Sequence, residues 1–419
     1  MKYSEVEIMS PVGSYESLMA AIQGGANSVY FGVEQLNMRS RSSNNFTIED
    51  LVKISAICKE NKIKTYITIN TILYDNEIEL MHSIVDAAKE NNISAIIASD
   101  ISVMEYAIRQ NVEVHISTQC NVTNTEAVRF YSRFADVVVT ARELNLNQVA
   151  KIYSNIEKDK ITGPSGKLIQ LEIFAHGALC MAVSGKCYLS LDNMNYSANR
   201  GACLQLCRKG YTVKDKEDAV ELDIDNQYIM SPKDLCTIGF LDRIIEAGVR
   251  VLKIEGRGRS PEYVKTVTRC YREAADSIID GTYSSEKIEN WTKQLDSVYN
   301  RGFWDGYYLG RKLGEWTEKY GSQATKKKVY IGKITNFFAK LGVAEVKIET
   351  NSIKVGDEVL ITGESTGVIE MNIGEIRVDQ ISVNSTKKGE LCSIPMESVV
   401  RRNDKLYLVT DNRDIDVNS

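Results

Sequence analysis

Residues 63–100 decide the predicted fold, and they read IKTYITINTILYDNEIELMHSIVDAAKENNISAIIASD. The segment 63–70 is rich in β-branched residues and predicts a strand, and AIIASD (95–100) predicts the next one. Between them, residues 77–91 have the periodicity of an amphipathic helix. A helix between two continuously apolar strands is typical of a parallel β/α/β unit whose strands are buried on both faces.

The same alternation continues on both sides of this unit. The other predicted strands are VEIMSP (6–11), SVYFG (28–32), VEVHISTQ (112–119), DVVVTARE (136–143), KLIQLEIFAHG (167–177) and VRVLKIEGR (249–257). Eight strands separated by helix-sized segments predict an α/β fold whose parallel sheet closes into a (β/α)8, TIM-like barrel. An open, doubly wound sheet is the alternative, but the first turn, SPVGSYES (10–17), lacks the G-x-G-x-x-G pattern of a dinucleotide-binding fold.

Polar residues stand at the ends of these apolar strands, where barrel enzymes carry their active sites. Clustered polar groups at one mouth cost desolvation energy unless they are paired, so we expect a site there, although some of these residues are expected only to cap helices or tie loops. The polar strand-end residues are Asn70, Asp100, Gln119, Arg142, Glu143, His176 and Glu255.

A cysteine-rich insertion, residues 177–248, is expected to lie over the same mouth. The segments EIFAHGALCMAVSGKCYLS (172–190) and NRGACLQLCRKGY (199–211) hold Cys180, Cys187, Cys203 and Cys207. Cys236 is predicted in the first turn of a helix over 232–247, and RKGYTVKD with AVELDID predicts a hairpin before it. The spacing favours an iron–sulfur cluster, since no C-x-x-C pair is present, but leaves a zinc site and a catalytic thiol paired with His176 open.

The bulk composition is that of an ordinary globular protein of 419 residues, with 43% hydrophobic and 26% charged residues. No apolar run reaches the length of a membrane span, and the N-terminus lacks a secretion signal, so we expect a cytoplasmic protein with reduced thiols and no membrane partner. The net charge of −5 means that an RNA partner would need a local basic patch.

The pattern predicts three segments along the chain. Residues 1–283 form the barrel with its insertion, residues 284–325 form a helical connector and linker, and residues 326–419 form a small all-β barrel of short strands. A lysine run (Lys326, Lys327 and Lys328) ends the predicted linker; it is a candidate for RNA contact, although such a run in a linker is usually a solvated segment.

Several motifs together resemble the peptidase U32 (collagenase-like) family. They are E-x-F-x-x-G-A-L-C-x4-G-x-C-x-L-S (172–190), SPVGSYESLMAAIQGGANSVYFG (10–32), STQ-x-N (117–121), ARE (141–143), NRGAC-x3-CR (199–208) and KIEGR (253–257). The β-rich tail resembles the C-terminal domain of the RNA-modifying branch of that family, which is similar to a small translation-factor barrel.

This resemblance implies an oxygen-independent hydroxylase that converts the wobble uridine of tRNA to 5-hydroxyuridine, with prephenate as the oxygen donor and co-substrate. It implies a [4Fe–4S] cluster on Cys180, Cys187, Cys203 and Cys236, with Cys207 as the alternative fourth ligand. A paralogous partner subunit is possible in such a system. A collagenase-like peptidase and a hydroxylase of another RNA, such as 23S rRNA, are the alternative functions.

Within that hypothesis the strand-end residues receive roles by their chemistry. Proton handling falls to Asp100, Glu143, His176 and Glu255. Carboxylates of prephenate or phosphates of RNA would be bound by bidentate arginines and by amides, and the residues expected to do so are Arg39, Arg41, Asn70, Gln119, Arg142 and Arg257.

Overall fold

A computed structural model of the chain describes residues 6–40, 45–212, 228–310 and 314–412. Arg41 and most of the hairpin predicted from RKGYTVKD and AVELDID lie outside the described residues. Among the described helices, none combines the length and the apolar character that crossing a membrane requires.

The first sheet contains the barrel. Its strands are β1 (Glu7–Pro11), β2 (Ser28–Gly32), β3 (Lys64–Ile69), β4 (Ala95–Ala98), β5 (Glu113–Ile116), β6 (Val137–Val139), β7 (Gln170–Gly177), β8 (Asp234–Cys236), β9 (Val249–Ile254) and β10 (Phe303–Trp304). Strands β1 to β7 pair in sequence order and in parallel, and β9 pairs in parallel with both β7 and β1. The sheet therefore closes on eight strands, and the predicted (β/α)8 barrel is confirmed.

The helices are α1 (Tyr15–Gln23), α2 (Asp50–Glu60), α3 (Ile78–Glu90), α4 (Ile101–Arg109), α5 (Thr125–Tyr131), α6 (Leu146–Asp159), α7 (Leu189–Met194), α8 (Leu241–Glu246), α9 (Pro261–Ile279) and α10 (Ser285–Ser297). They cover the outside of the barrel, except α7, which belongs to the cysteine-rich insertion, and α10, which packs against α9. The apolar stripe of the covering helices faces the sheet, as in α2, where Leu51, Ile54 and Cys58 are buried. A second layer of side chains, including Met9, Tyr30 and Tyr66, fills the inside of the barrel.

The helix predicted over 232–247 is wrong. Residues Asp234–Cys236 instead form β8, which runs antiparallel to the end of β7 with His176 opposite Cys236, and β10 pairs with its other edge. Helix α8 begins only at Leu241. Strand β7 extends beyond its neighbours, so its end offers unpaired backbone groups, and tertiary pairing there outweighs the local helix-start pattern Ser-Pro-x-Asp.

The C-terminal part forms a separate antiparallel sheet, as predicted. Its strands are β11 (Lys326–Phe338), β12 (Val343–Ile348), β13 (Glu358–Gly363), β14 (Gly367–Asn372), β15 (Arg377–Val378), β16 (Ile381–Ser382), β17 (Leu391–Pro395) and β18 (Lys405–Asp411). The lysine run belongs to β11 rather than to a linker. Lys326 pairs with Glu358 at 2.6 Å and Lys328 with Glu262 at 2.9 Å, so two of the three charges are already compensated.

Candidate functional site

A cavity of about 380 Å³ occupies the C-terminal mouth of the barrel. Its floor comes from side chains of the strands and strand ends, including Asn70, Lys253 and Glu255, and its roof comes from the cysteine-rich insertion. The parallel strands end together at this mouth, so residues far apart in sequence meet here. A cavity therefore lies at the mouth where the sequence predicts the site; we call this space the barrel cavity.

Four thiols line the barrel cavity, those of Cys180, Cys187, Cys203 and Cys207. They are near enough for their charges to interact: burial raises the pKa of Cys207, Arg208 opposes that shift, and the other three thiols add to it. The donor set is of the kind that a [4Fe–4S] cluster takes, with one soft thiolate on each iron. In the part of the chain that is described, no three His, Cys, Asp or Glu side chains form a ready-made site for a metal ion.

Cys236 does not line the barrel cavity. Its strand β8 places it beside Tyr271, whose hydroxyl donates to the thiol at 3.9 Å, and burial raises its pKa to about 11. Of the two candidates for a fourth ligand, the geometry favours Cys207.

Three arginines of the barrel cavity have no carboxylate within 4.0 Å among the described residues, namely Arg142, Arg208 and Arg257. Arg142 lies 4.0 Å over the ring of Phe174, donates to the Ala178 carbonyl at 3.4 Å, and has a buried Nε without a described partner.

The other two of these arginines are held by neutral groups. Arg257 donates to the Thr68 hydroxyl at 2.9 Å; burial lowers its pKa to about 10, which leaves it cationic at neutral pH. Arg208 donates to the Leu179 carbonyl at 2.6 Å and to the Ser231 hydroxyl at 3.0 Å. An anionic ligand would supply the missing negative charge of all three.

Arg39 and Glu255 form an ion pair at 2.7 Å across the cavity wall. Burial would raise the pKa of Glu255, but Arg39, Arg259 and Arg142 outweigh burial and lower it to about 2, so this carboxylate stays ionised near neutral pH. Glu255 is thus a hydrogen-bond acceptor and an orienting group rather than a proton donor.

The amide residues Asn70 and Gln119 also reach the barrel cavity. Asn70 accepts from the Met38 backbone N–H at 3.1 Å and donates to the Ser117 hydroxyl at 3.4 Å, while Gln119 accepts from that hydroxyl. Asn70 follows β3 and Gln119 follows β5, so their hydrogen bonds join two strand ends that have β4 between them.

Sequence reasoning missed a buried chain of ionisable groups beneath the barrel cavity. Lys253 lines the cavity and donates to Glu172 at 2.8 Å, and Glu172 lies 3.8 Å from His115, an ion-pair distance too long for a hydrogen bond. All three are at most 5% exposed. The signal was available in the sequence, because LEIF (171–174) and VLKI (251–254) each carry one charged residue in an otherwise apolar run.

Three of the predicted proton-handling residues lie away from the barrel cavity. Asp100 caps α4 by accepting from the Ser102 backbone N–H at 2.9 Å, and Glu143 does not line the cavity. His176 is 1% exposed behind the cavity, 3.4 Å from the Tyr271 hydroxyl, and burial lowers its pKa to about 3. The structure therefore gives Asp100 a capping role and keeps His176 neutral.

Comparison with known proteins adds a family and several relatives. The model of peptidase family U32 matches residues 13–318. A Porphyromonas gingivalis protein named collagenase is 60% identical over 97% of this chain and 98% of its own length. A tRNA hydroxylation protein of Bacillus subtilis is 32% identical over 85% of this chain and 83% of its own. A 23S rRNA 5-hydroxycytidine synthase of Escherichia coli is 33% identical over 74% of this chain, but over only 46% of its own length.

Proposed function

The chain belongs to peptidase family U32, and from that premise we propose that it is an RNA-modifying enzyme which hydroxylates the wobble uridine of tRNA to 5-hydroxyuridine without molecular oxygen. The single observation that carries the proposal is the set of four thiols around one cationic cavity at the barrel mouth. Relatives named for hydroxylation of tRNA and for synthesis of hydroxycytidine in rRNA support the reaction class.

In this proposal Cys180, Cys187, Cys203 and Cys207 hold a [4Fe–4S] cluster, replacing the set that includes Cys236. The cluster, when bound, supplies one-electron redox chemistry. The surrounding chain contributes a roof that covers the cavity. It also contributes a fixed positive charge, because Arg208 directly follows Cys207 and donates to the carbonyls of Leu179 and Pro232.

The co-substrate in this proposal is prephenate, a dicarboxylate. Arg142 and Arg257 are the groups that would bind its carboxylates, because both line the cavity without a described carboxylate partner. Lys253 is the proposed proton donor, because its ammonium group lines the cavity, and its hydrogen bond to Glu172 positions it. Asn70 and Gln119 present amides suited to the edges of a uracil base, which must leave its stack to enter such a pocket.

A peptidase is the second candidate, because the relative with 60% identity is named collagenase. A thiol peptidase needs an imidazole within hydrogen-bond reach of its nucleophile. The one histidine near the mouth, His176, faces Tyr271 rather than Cys180, and no carboxylate orients it among the described contacts. The geometry therefore supports the hydroxylase over the peptidase.

One experiment separates the two functions. Anaerobic purification of the full chain should give a brown protein with about four irons per chain, and tRNA from a strain that lacks the gene should lose 5-hydroxyuridine and its derivatives. Expression of the parent chain should restore the nucleoside. An iron-free chain that cleaves gelatin, with unchanged tRNA in a strain that also lacks every paralogue, would overturn the proposal in favour of a peptidase.

A further inference from the structure

A second, smaller cavity lies beside the barrel cavity at the same end of the barrel. Its volume is about 80 Å³, and a water molecule takes up about 30 Å³ of liquid, so it has room for a group of a few heavy atoms rather than for a ring. The loop after β9 forms one side of it with Gly256, Gly258 and Arg259. Arg39 and Glu255 line both cavities, so a group bound in one lies next to a group bound in the other. We call it the side pocket.

Arg259 is the unusual residue of the side pocket. Its guanidinium lies 3.6 Å from the centre of the Tyr299 ring. Across the described parts of the chain, the guanidinium has neither a hydrogen-bond acceptor nor a carboxylate within 4.0 Å. The residue is half-buried and none of its nitrogens is among the buried atoms that lack a partner, so its fork of five donors remains accessible to a ligand.

The charges around the side pocket leave a net positive field. Arg39 is balanced by Glu255 at 2.7 Å, and Arg301 is balanced by Asp234 at 3.3 Å. Arg259 has no carboxylate of its own within 4.0 Å and acts on the same Glu255, whose pKa it helps to lower. Three guanidiniums (Arg39, Arg259 and Arg301) therefore face two carboxylates (Glu255 and Asp234). Glu255 is the one acidic residue that lines the side pocket, and its pairing with Arg39 limits its repulsion of an incoming anion.

The backbone of this loop brings the Arg259 side chain close to the side pocket. The Arg259 backbone N–H closes a turn by donating to the Gly256 carbonyl at 2.8 Å. Gly256 has a φ of +156°, and a Cβ there would lie 2.6 Å from the Tyr263 ring and 3.0 Å from the Arg259 side chain. Glycine therefore permits the close packing that places the guanidinium beside the pocket.

We propose that the side pocket is a phosphate-binding subsite, with Arg259 as its principal ligand. Barrels of this class frequently bind phosphate with the loops after their seventh and eighth strands, and β7 and β9 hold those positions here. Arginine forks match the tetrahedral oxyanion by bidentate hydrogen bonds. The phosphate is that of a nucleotide whose base enters the barrel cavity, an identification that rests on the proposed function.

The test measures binding by the anaerobically purified full chain, using calorimetry with uridine 3′,5′-bisphosphate and with uridine. The bisphosphate should bind at least tenfold more tightly than uridine, and inorganic phosphate should displace it. Arg259→Gln should weaken bisphosphate binding about tenfold or more, because a charge-assisted hydrogen bond is lost, and should leave uridine binding unchanged. Arg133→Gln is the matched control, since Arg133 also lies over an aromatic ring, 4.2 Å from the centre of Phe130, but lines neither cavity.

Unchanged bisphosphate affinity in Arg259→Gln would overturn the subsite, as would displacement by malonate as effective as displacement by phosphate. If Arg259→Gln melts at a lower temperature than the parent, Arg259→Lys provides the second variant, and its affinity should fall between the two. Phosphate binding does not depend on turnover. A chain that binds the bisphosphate through Arg259 but leaves tRNA unmodified would overturn the proposed function alone, whereas modified tRNA without this binding would overturn the subsite alone.

Discussion

Single residues set the chemistry of this molecule through compensated charges inside the barrel. Burial would raise the pKa of Glu172, but Lys253 and His115 outweigh it and lower the pKa, while burial lowers the pKa of Lys253. Burial by itself would also lower the pKa of His115, yet Glu113 and Glu172 raise it to about 9. The charged state of each of these buried groups therefore depends on the charge of its neighbour. Lys253 is the member of the row that lines the barrel cavity.

His115→Gln tests this dependence through pH. The folded-state pKa of about 9 lies above the ordinary value of 6.5, so the stabilisation by the imidazolium is complete below pH 6.5 and is lost as the pH rises to about 9. The parent should lose about 3 kcal/mol of unfolding free energy relative to the variant across that range. Urea unfolding at pH 6 and pH 9.5 measures the difference, and an equal difference at both values would contradict the charged assignment.

The cluster ligands give a second test at this scale. Cys207→Ser should reduce the iron content and the visible absorbance of the anaerobically purified chain, because a thiolate that faces the barrel cavity is removed. Cys236→Ser should retain both, since Cys236 lies behind the cavity against Tyr271. The opposite pattern, with iron lost from Cys236→Ser and kept in Cys207→Ser, would restore the ligand set suggested by family resemblance.

The secondary-structure elements show how much of this structure could be predicted from the sequence. The barrel strands were predictable because each is buried on both faces and so is continuously apolar, as in SVYFG, where all five residues are buried. Strand ends such as Asn70 and Glu255 were predictable as site residues because parallel strands end at one mouth. The position of Cys236 was not, because β8 exists only through pairing with the end of β7, a contact that local periodicity does not encode.

Close packing between two loops at this mouth predicts the effect of a single methyl group. Gly13 follows β1, and a Cβ there would lie 2.2 Å from the Arg257 carbonyl oxygen in the loop after β9. Gly13→Ala should therefore separate the two loops, cost about 1–3 kcal/mol of stability and lower activity by displacing Arg257. Gly239→Ala is the control, because its nearest heavy atom is 4.0 Å away. Thermal unfolding and nucleoside analysis measure both, and equal behaviour of the two variants would count against loop packing as the cause.

The whole molecule is held together by docking of the C-terminal sheet on α1 and α9. Gln23 donates to the Thr366 carbonyl and accepts from the Val368 N–H, both at 2.9 Å, and Lys265 donates to the Val368 carbonyl at 3.0 Å. Val368 and Leu360 are buried in the same core cluster as the barrel. Helix α9 directly follows the loop that carries Arg257 and Arg259, so the sheet braces the helix behind the two arginines.

Val368→Asp should therefore undock the sheet without unfolding it. The Val368 side chain is 1% exposed in the apolar core that it shares with Leu360, so a carboxylate there would lose its hydration, and the nearby Lys265 is already paired with Glu370 at 3.1 Å. The sheet keeps a core of its own, including Ile331 and Val346, so unfolding should split into two transitions where the parent shows one. Ile381→Asp is the control, because Ile381 is 68% exposed on β16 and its substitution should leave the transition unchanged. Calorimetric scans of the parent and both variants measure this. A single transition in Val368→Asp would mean that the sheet has no stability apart from the barrel. A parent that already unfolds in two steps would mean that docking contributes little to the stability of either part.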